Sequence, residues 1–204
     1  ADPWNNRGVA LNGLGKYQDA IASFDQAIKI QLDYAEAWNN RGVALNELGR
    51  YQDAIASLDK AVKIKPDYAD AWNNRGVASN GLGKYQDAIA SCDKAIEIKS
   101  DYADAWNNRG VALNGLGKYQ DAIASFDKAI EIRPDYSLIW DNRAVTLENL
   151  KRYDEALESY EKAIQLDSNN QTAINNRKRI NKLKKMNNPE KTNNIKKLLE
   201  KLGL

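Results

Sequence analysis

Residues 35–68 read AEAWNNRGVALNELGRYQDAIASLDKAVKIKPDY. The fourth residue of the stretch is a tryptophan, Trp38, and tryptophans recur at 4, 72, 106 and 140, each 34 residues from the next. The chain length of 204 is six times that spacing. A fixed period of this size marks a stack of similar units, each too small to bury an apolar face alone. Taking Trp4 as position 4, the units run 1–34, 35–68, 69–102, 103–136 and 137–170, and a worn sixth copy fills 171–204.

Each unit holds two helical stretches. In the first, over about positions 2–14, apolar or small residues fall at 4, 8 and 11, with 7 and 15 nearby, one stripe at the helical period. Gly15, Gly49, Gly83 and Gly117 are placed to stop this helix, because glycine accepts the left-handed conformation. The second stretch covers about positions 18–31. Ala20, Ile21, Phe24, Ala27 and Ile28 form its expected buried face. Proline follows in two units (Pro66, Pro134). Asp33, Asp67, Asp101 and Asp135 are expected N-caps of the next helix, and Asp33 with Glu36 has capping-box spacing. The fold class expected is an all-α, right-handed superhelical solenoid of antiparallel helix pairs.

The pattern Trp38, Gly42, Leu45, Tyr51, Ala54, Leu58, Ala61, Pro66 resembles the tetratricopeptide repeat family. The resemblance spans residues 1–170 in five in-phase copies. It implies a non-catalytic scaffold that binds a peptide or protein segment in a concave groove. One departure stands out. Position 7 is arginine in every unit (Arg7, Arg41, Arg75, Arg109, Arg143), where the family usually has an apolar residue. The expected role is structural: an aliphatic stem over the inter-helix seam, with the guanidinium paired to a nearby aspartate.

Wheel arithmetic places positions 2, 5, 6, 9, 12 and 13 opposite the Trp stripe. The resemblance makes that side the groove. Its candidate binding residues are Asn5, Asn39, Asn73 and Asn107; Asn6, Asn40, Asn74, Asn108 and Asn142; and Asn12, Asn46, Asn80 and Asn114. Val9, Val43, Val77, Val111 and Val145 lie among them. Asparagine is a poor helix filler, so its recurrence at three positions calls for a reason. A column of amides offers donors and acceptors to a peptide backbone without reading its sequence, and some members of the family grip extended peptides this way. The alternative is that position 6 braces the neighbouring repeat. Members that clamp an acidic C-terminus use Lys at position 5 and Asn at 9; here those positions hold Asn or Asp141, and Val. Asp2, Glu36, Asp70 and Asp104 turn the expected ligand toward neutral or basic peptides.

Composition narrows the chemistry. With no histidine, histidine-based nucleophile and general-base schemes are closed. One cysteine, Cys92, excludes an intrachain disulfide and a zinc cluster. No cofactor, metal or catalytic residue is expected. The Asn12-Gly13-Leu14-Gly15-Lys16 turn lacks phosphate-loop spacing. No apolar run is long enough to span a membrane. The chain lacks an initiator Met and a signal peptide, so it reads as a fragment or processed form, with a cytoplasmic setting expected.

Residues 171–204 carry ten Lys/Arg and two acids, and residues 1–170 a net −6. Ile174 falls on the Trp position, and Asn175-Asn176-Arg177 repeats the local signature. A capping helix is expected over about 172–186. A second, amphipathic basic helix is expected over about 189–202, capped by Asn188 with Pro189 in its first turn. Ile195, Leu198, Leu199 and Leu202 form its apolar stripe. That helix could pack as a cap or dock in trans, so self-association is the alternative to a peptide-binding role. Nucleic acid is disfavoured, because the tail has no aromatic side chain to stack on bases. In the third unit, Ser79 and Cys92 replace larger residues at two core positions. Drift and a flexible point or small cavity are the two readings of that change.

Overall fold

The computed structural model describes residues 1–186, and over them the chain is all-α. Four helix pairs occupy the first compact unit, Ala1–Pro134. They are α1 (Asp2–Gly13) with α2 (Tyr17–Ile30), α3 (Ala35–Glu47) with α4 (Tyr51–Ile64), α5 (Ala69–Gly81) with α6 (Tyr85–Ile98), and α7 (Ala103–Gly115) with α8 (Tyr119–Ile132). The second unit holds α9 (Ser137–Asn149), α10 (Tyr153–Leu166) and α11 (Gln171–Met186). The amphipathic helix expected over 189–202 lies outside the described residues.

Within the first unit each helix packs on the next in sequence, so the contacts are local and repetitive. The first helices of successive repeats also touch one another, α1 with α3, α3 with α5 and α5 with α7. That extra row of contacts puts the first helices on the tighter side of the stack, the side expected to line a groove. The core of each pair follows the second helix. Ala20, Ile21, Phe24, Ala27 and Ile28 are all buried, as their spacing requires. Gly8, Gly42, Gly76 and Gly110 let the two helices approach closely. A Cβ on Gly110 would lie 2.6 Å from the Phe126 ring, and one on Gly42 the same distance from Leu58.

The helix stops are the expected ones. Gly15, Gly49, Gly83 and Gly117 have φ of 70–74°, and the residue after each donates back to the carbonyl five positions earlier, as Lys16 does to Leu11 at 2.9 Å. In the second unit Lys151 holds that place at φ 60°, a conformation that costs a non-glycine residue about 1 kcal/mol.

The expected N-caps are corrected. Leu32 and Asp33 form the turn itself, and Tyr34 is the N-cap of α3. Tyr68, Tyr102 and Tyr136 stand at the same place, and none of the four makes a side-chain cap bond. Asp33 is therefore one residue too early to cap, and the Asp33–Glu36 capping box does not form. The helix entrance is fixed instead by tryptophan. Trp38 Nε1 donates to Leu32 O, Trp72 to Pro66 O and Trp106 to Ser100 O, at 2.9–3.0 Å.

The arginines do what their position suggests. Arg41 Nε donates to Asp25 Oδ1 at 2.7 Å, Arg75 to Asp59 and Arg109 to Asp93 at the same distance. Each aspartate belongs to the preceding repeat. A second guanidinium nitrogen donates within the repeat, to Ser57, Ser91 or Ser125 at 2.6–2.7 Å, and each serine hydroxyl donates one turn back along its helix. The serines are buried and the aspartates half-exposed, so the network ties one repeat to the next from seam to surface.

Candidate functional site

The candidate groove is built by the first helices, so it can be followed position by position. Position 5 is not open to it. Asn5, Asn39, Asn73 and Asn107 are buried, at 5–7% exposure. The wheel of a lone helix misplaces them because it takes no account of the neighbouring first helix. The side-chain carbonyls of Asn5, Asn39 and Asn73 accept instead from position 6 of the next repeat. Asn40 Nδ2 donates to Asn5 Oδ1 at 3.1 Å, Asn74 to Asn39 at 3.0 Å and Asn108 to Asn73 at 2.9 Å. Position 12 is turned inward as well. Asn46 Nδ2 donates to Asn74 O at 3.2 Å and Asn80 Nδ2 to Asn108 O at 3.0 Å.

Two of the three asparagine columns therefore brace neighbouring repeats. The third, at position 6, donates the bonds to position 5 from the half-exposed Asn40, Asn74 and Asn108. The amides of Asn40, Asn74 and Asn108 are oriented by their Nδ2 bonds, which leaves Oδ1 of Asn74 and Asn108 without a donor among the described residues, on half-exposed side chains. Asn40 Oδ1 accepts from Asn39 at 3.3 Å. Asn6 is exposed. Asn142 lies in the second unit and is half-buried there. Val43, Val77 and Val111 are half-buried beside the amides, while Val9 is about half exposed.

A further column was not among the expected site residues. Tyr34, Tyr68 and Tyr102 alternate with Asp2, Glu36, Asp70 and Asp104 at the starts of the first helices. Burial is the main cause that pushes the Tyr68 phenol up to about 12, with the nearby charges of Asp70 and Glu36 adding to it. Tyr102 is raised by burial and by the nearby Asp70 carboxylate, and Tyr34 by burial and by Asp2. The phenols thus stay protonated beside the acids. Glu36 also meets Lys65 at 3.7 Å and Asp104 meets Arg133 at 3.0 Å. Lys65 and Lys99 lie 5.0 Å from the centres of the Tyr68 and Tyr102 rings. The signal in the sequence was Asp-Tyr at positions 33–34 of the first four repeats, which reads as helix punctuation.

The second unit departs from this pattern at three places that matter. Asp141 replaces the position-5 asparagine, and burial raises its carboxyl above the usual range. Glu148 replaces the position-12 asparagine, accepting from the Tyr160 hydroxyl and from Arg179, each at 2.5 Å. Lys184 pairs with Asp154. A shallow basic surface lined by Arg177, Lys178, Asn181 and Lys182 with Glu161 lies along α11.

Among the described residues no group of three or more acids and cysteines is placed to hold a metal ion. Cys92 is buried, and burial raises its thiol to about 12, so at neutral pH it is not a thiolate. No described helix is long and apolar enough to cross a membrane.

Stacked helix pairs with a Trp, Gly, Ala framework and an amide-lined inner row define a helical-repeat scaffold. Tetratricopeptide repeat matches cover residues 5–69, 69–102, 103–136 and 139–170, and the chain belongs to that family. The family's fold generally serves protein–protein interaction, and its members are typically non-catalytic. Among solved structures, MamA is 26% identical, with a TM-score of 0.69 over 79% of this chain and 94% of its own. TTC0263, a thermophilic TPR protein in Thermus thermophilus, is 23% identical, with a TM-score of 0.74 over 88% of this chain and 97% of its own. YrrB, described as a TPR protein with an unusual peptide-binding site, is 22% identical, with a TM-score of 0.67 over 86% and 91%. At these last two identities the likeness carries the fold alone. No curated protein matches the chain.

Proposed function

We propose that the chain is a scaffold that binds an extended peptide or protein segment along the inner row of α1, α3, α5 and α7, and that it favours neutral or basic ligands. The observation that carries this reading is the excess of acceptors on that row. The Oδ1 atoms of Asn74 and Asn108 are unfilled, and Asp70 faces the Tyr102 hydroxyl with no cation paired to it among the described residues. A peptide N–H would meet the amides, and a Lys or Arg side chain would meet Asp70 and the tyrosine faces. Val43, Val77 and Val111 would supply shallow apolar contact between them.

Position 6 is a poor place to test this, because alanine there also removes a bond between repeats. Glu36 and Asp70 are cleaner probes, since neither holds the core. The experiment is fluorescence anisotropy with a labelled Lys/Ser decapeptide and its Glu/Ser counterpart, at low and moderate salt. The basic peptide is expected to bind the wild-type chain about tenfold more tightly. Glu36→Gln with Asp70→Asn should shrink that preference with helicity unchanged. Equal binding of the two peptides, or a preference for the acidic one, would overturn the charge assignment.

A further inference from the structure

One turn recurs at the ends of α2, α4 and α6 with the same backbone and a different side chain at position 31. The N–H of Tyr34 donates to Gln31 O at 3.3 Å, and those of Tyr68 and Tyr102 to Lys65 O and Lys99 O at 3.2 Å. Position 31 has φ −140° and ψ 99° as Gln31, and φ −136° and ψ 93° as Lys99, so a cation is not needed to shape the turn. Where a lysine is present, the turn folds it over the tyrosine three residues on, with Nζ of Lys65 and Lys99 5.0 Å from the ring centres. An acid at the start of the first helix of the same repeat lies beside that ring, Glu36 near Tyr68 and Asp70 near Tyr102. Ring and acid together form a seat for an ammonium group.

The seats are not equally filled. In repeat 2 the Lys65 ammonium meets both parts, the Tyr68 ring and the Glu36 carboxylate at 3.7 Å. In repeat 4 Arg133 takes Asp104 directly at 3.0 Å. In repeat 3 Lys99 rests on the ring alone. It meets no carboxylate among the described residues, and Asp70 meets no cation. Asp70 is also exposed, whereas Glu36 and Asp104 are half-buried. The third seat therefore holds the most weakly tied occupant and the most accessible unneutralised acid.

We infer that Lys99 is an internal stand-in for a lysine of the ligand, and that the Asp70–Tyr102 seat anchors the bound segment and sets its register on the scaffold. This rests on the binding proposed along the inner row and names the group recognised there. A ligand ammonium displaces Lys99 from the ring and gains the charge of Asp70, which Lys99 leaves uncompensated. At Glu36 the same ligand would have to break an existing ion pair for no net gain in charge pairing. Position 31 thus decides which repeat is open to a cation.

The test is anisotropy with the labelled Lys/Ser and Glu/Ser decapeptides and the whole chain at about 0.1 M salt, where charges are screened over about 10 Å. Asp70→Asn and Glu36→Gln each remove one negative charge at the same position of neighbouring repeats. Asp70→Asn should weaken the basic peptide about fivefold and Glu36→Gln no more than about twofold. Lys99→Gln gives repeat 3 the residue that repeat 1 already carries, and should tighten the basic peptide about threefold. Lys84→Gln is the charge control. Lys84 is exposed and precedes α6, a helix length of about 20 Å from Lys99. Its loss should change affinity by less than about 1.5-fold. In an Asp70→Asn background the gain from Lys99→Gln should vanish, with helicity unchanged in every variant. If the wild type prefers the basic peptide but Asp70→Asn and Glu36→Gln cost the same, the seat is overturned and the groove reading stands. A Lys99→Gln gain that matches Lys84→Gln, or that survives Asp70→Asn, has the same meaning. No preference for the basic peptide in the wild type overturns both.

Discussion

Repeats 3 and 4 differ at four of 34 positions: Ser79 against Leu113, Cys92 against Phe126, Lys99 against Arg133, and Ser100 against Pro134. The first two sit in the core. Ser79 and Cys92 are as buried as Leu113 and Phe126, so repeat 3 has lost side-chain volume twice on the inside. Its frame has not changed. α5 and α7 span the same positions, as do α6 and α8. Arg75 reaches Asp59 and Ser91 as Arg109 reaches Asp93 and Ser125. The tryptophan bonds differ by 0.1 Å. Repeat geometry is thus set by the hydrogen-bonded seams and the glycine contacts, while core volume sets how firmly the pair is held. Ser79 adds a buried hydroxyl with no partner among the described residues, a further cost that Leu113 does not carry.

The sharpest way to break this comparison is to make repeat 4 resemble repeat 3. Phe126→Cys should cost about 3 kcal/mol, the low end for emptying a buried aromatic site. In a stack of repeats the loss is shared with neighbours and need not unfold the chain at once. Native-state hydrogen exchange resolves it. Amides of α7 and α8 should lose protection relative to wild type more than those of α1 and α2. Uniform loss along the chain would mean that the repeats unfold as one block.

A second pair of substitutions tests the glycine contact. Gly110→Ala drives a Cβ to 2.6 Å from a buried ring that has no room to move. Gly76→Ala meets the Cys92 sulfur at the same distance, and a thiol can change rotamer. Alanine gains helix propensity at both sites. Gly110→Ala should therefore cost about 2 kcal/mol and Gly76→Ala clearly less, measured by urea denaturation. Equal costs would show that the helix backbones, rather than the residue at position 24, set the spacing.

These two experiments bear on how much could be read before any coordinates. The repeat, its helices and its buried second-helix face were legible because each rests on local periodicity. So was the arginine's structural role, since five identical residues at a seam need a common partner. Which aspartate would serve was not legible: Asp25 is near Arg41 only once the second helix is laid against the next repeat. The same blindness misplaced Asn39. A single-helix wheel has one solvent face, whereas α3 touches α1, α2, α4 and α5. Tyr68 was missed for another reason. Its site forms from the end of one repeat and the start of the next, and a reading organised by repeat divides the two.

The smallest effect lies at the surface difference between the two repeats. Arg133 donates to Asp104 at 3.0 Å across the groove edge, where Lys99 instead rests over the Tyr102 ring. Both partners of the Arg133–Asp104 pair are 40% exposed, so solvent screens it. Arg133→Lys should change stability by no more than about 0.5 kcal/mol, within the scatter of a urea midpoint. Its consequence is expected in binding. Lysine is a point charge without the guanidinium fork and would hold Asp104 less firmly. Asp104 would then join Asp70 as an acceptor for ligand cations. The variant should bind the Lys/Ser decapeptide more tightly by about twofold at low salt, with the gain disappearing as salt rises. A weaker affinity in Arg133→Lys would place Asp104 outside the path of the peptide and leave Asp70 and Glu36 as the acids that face it.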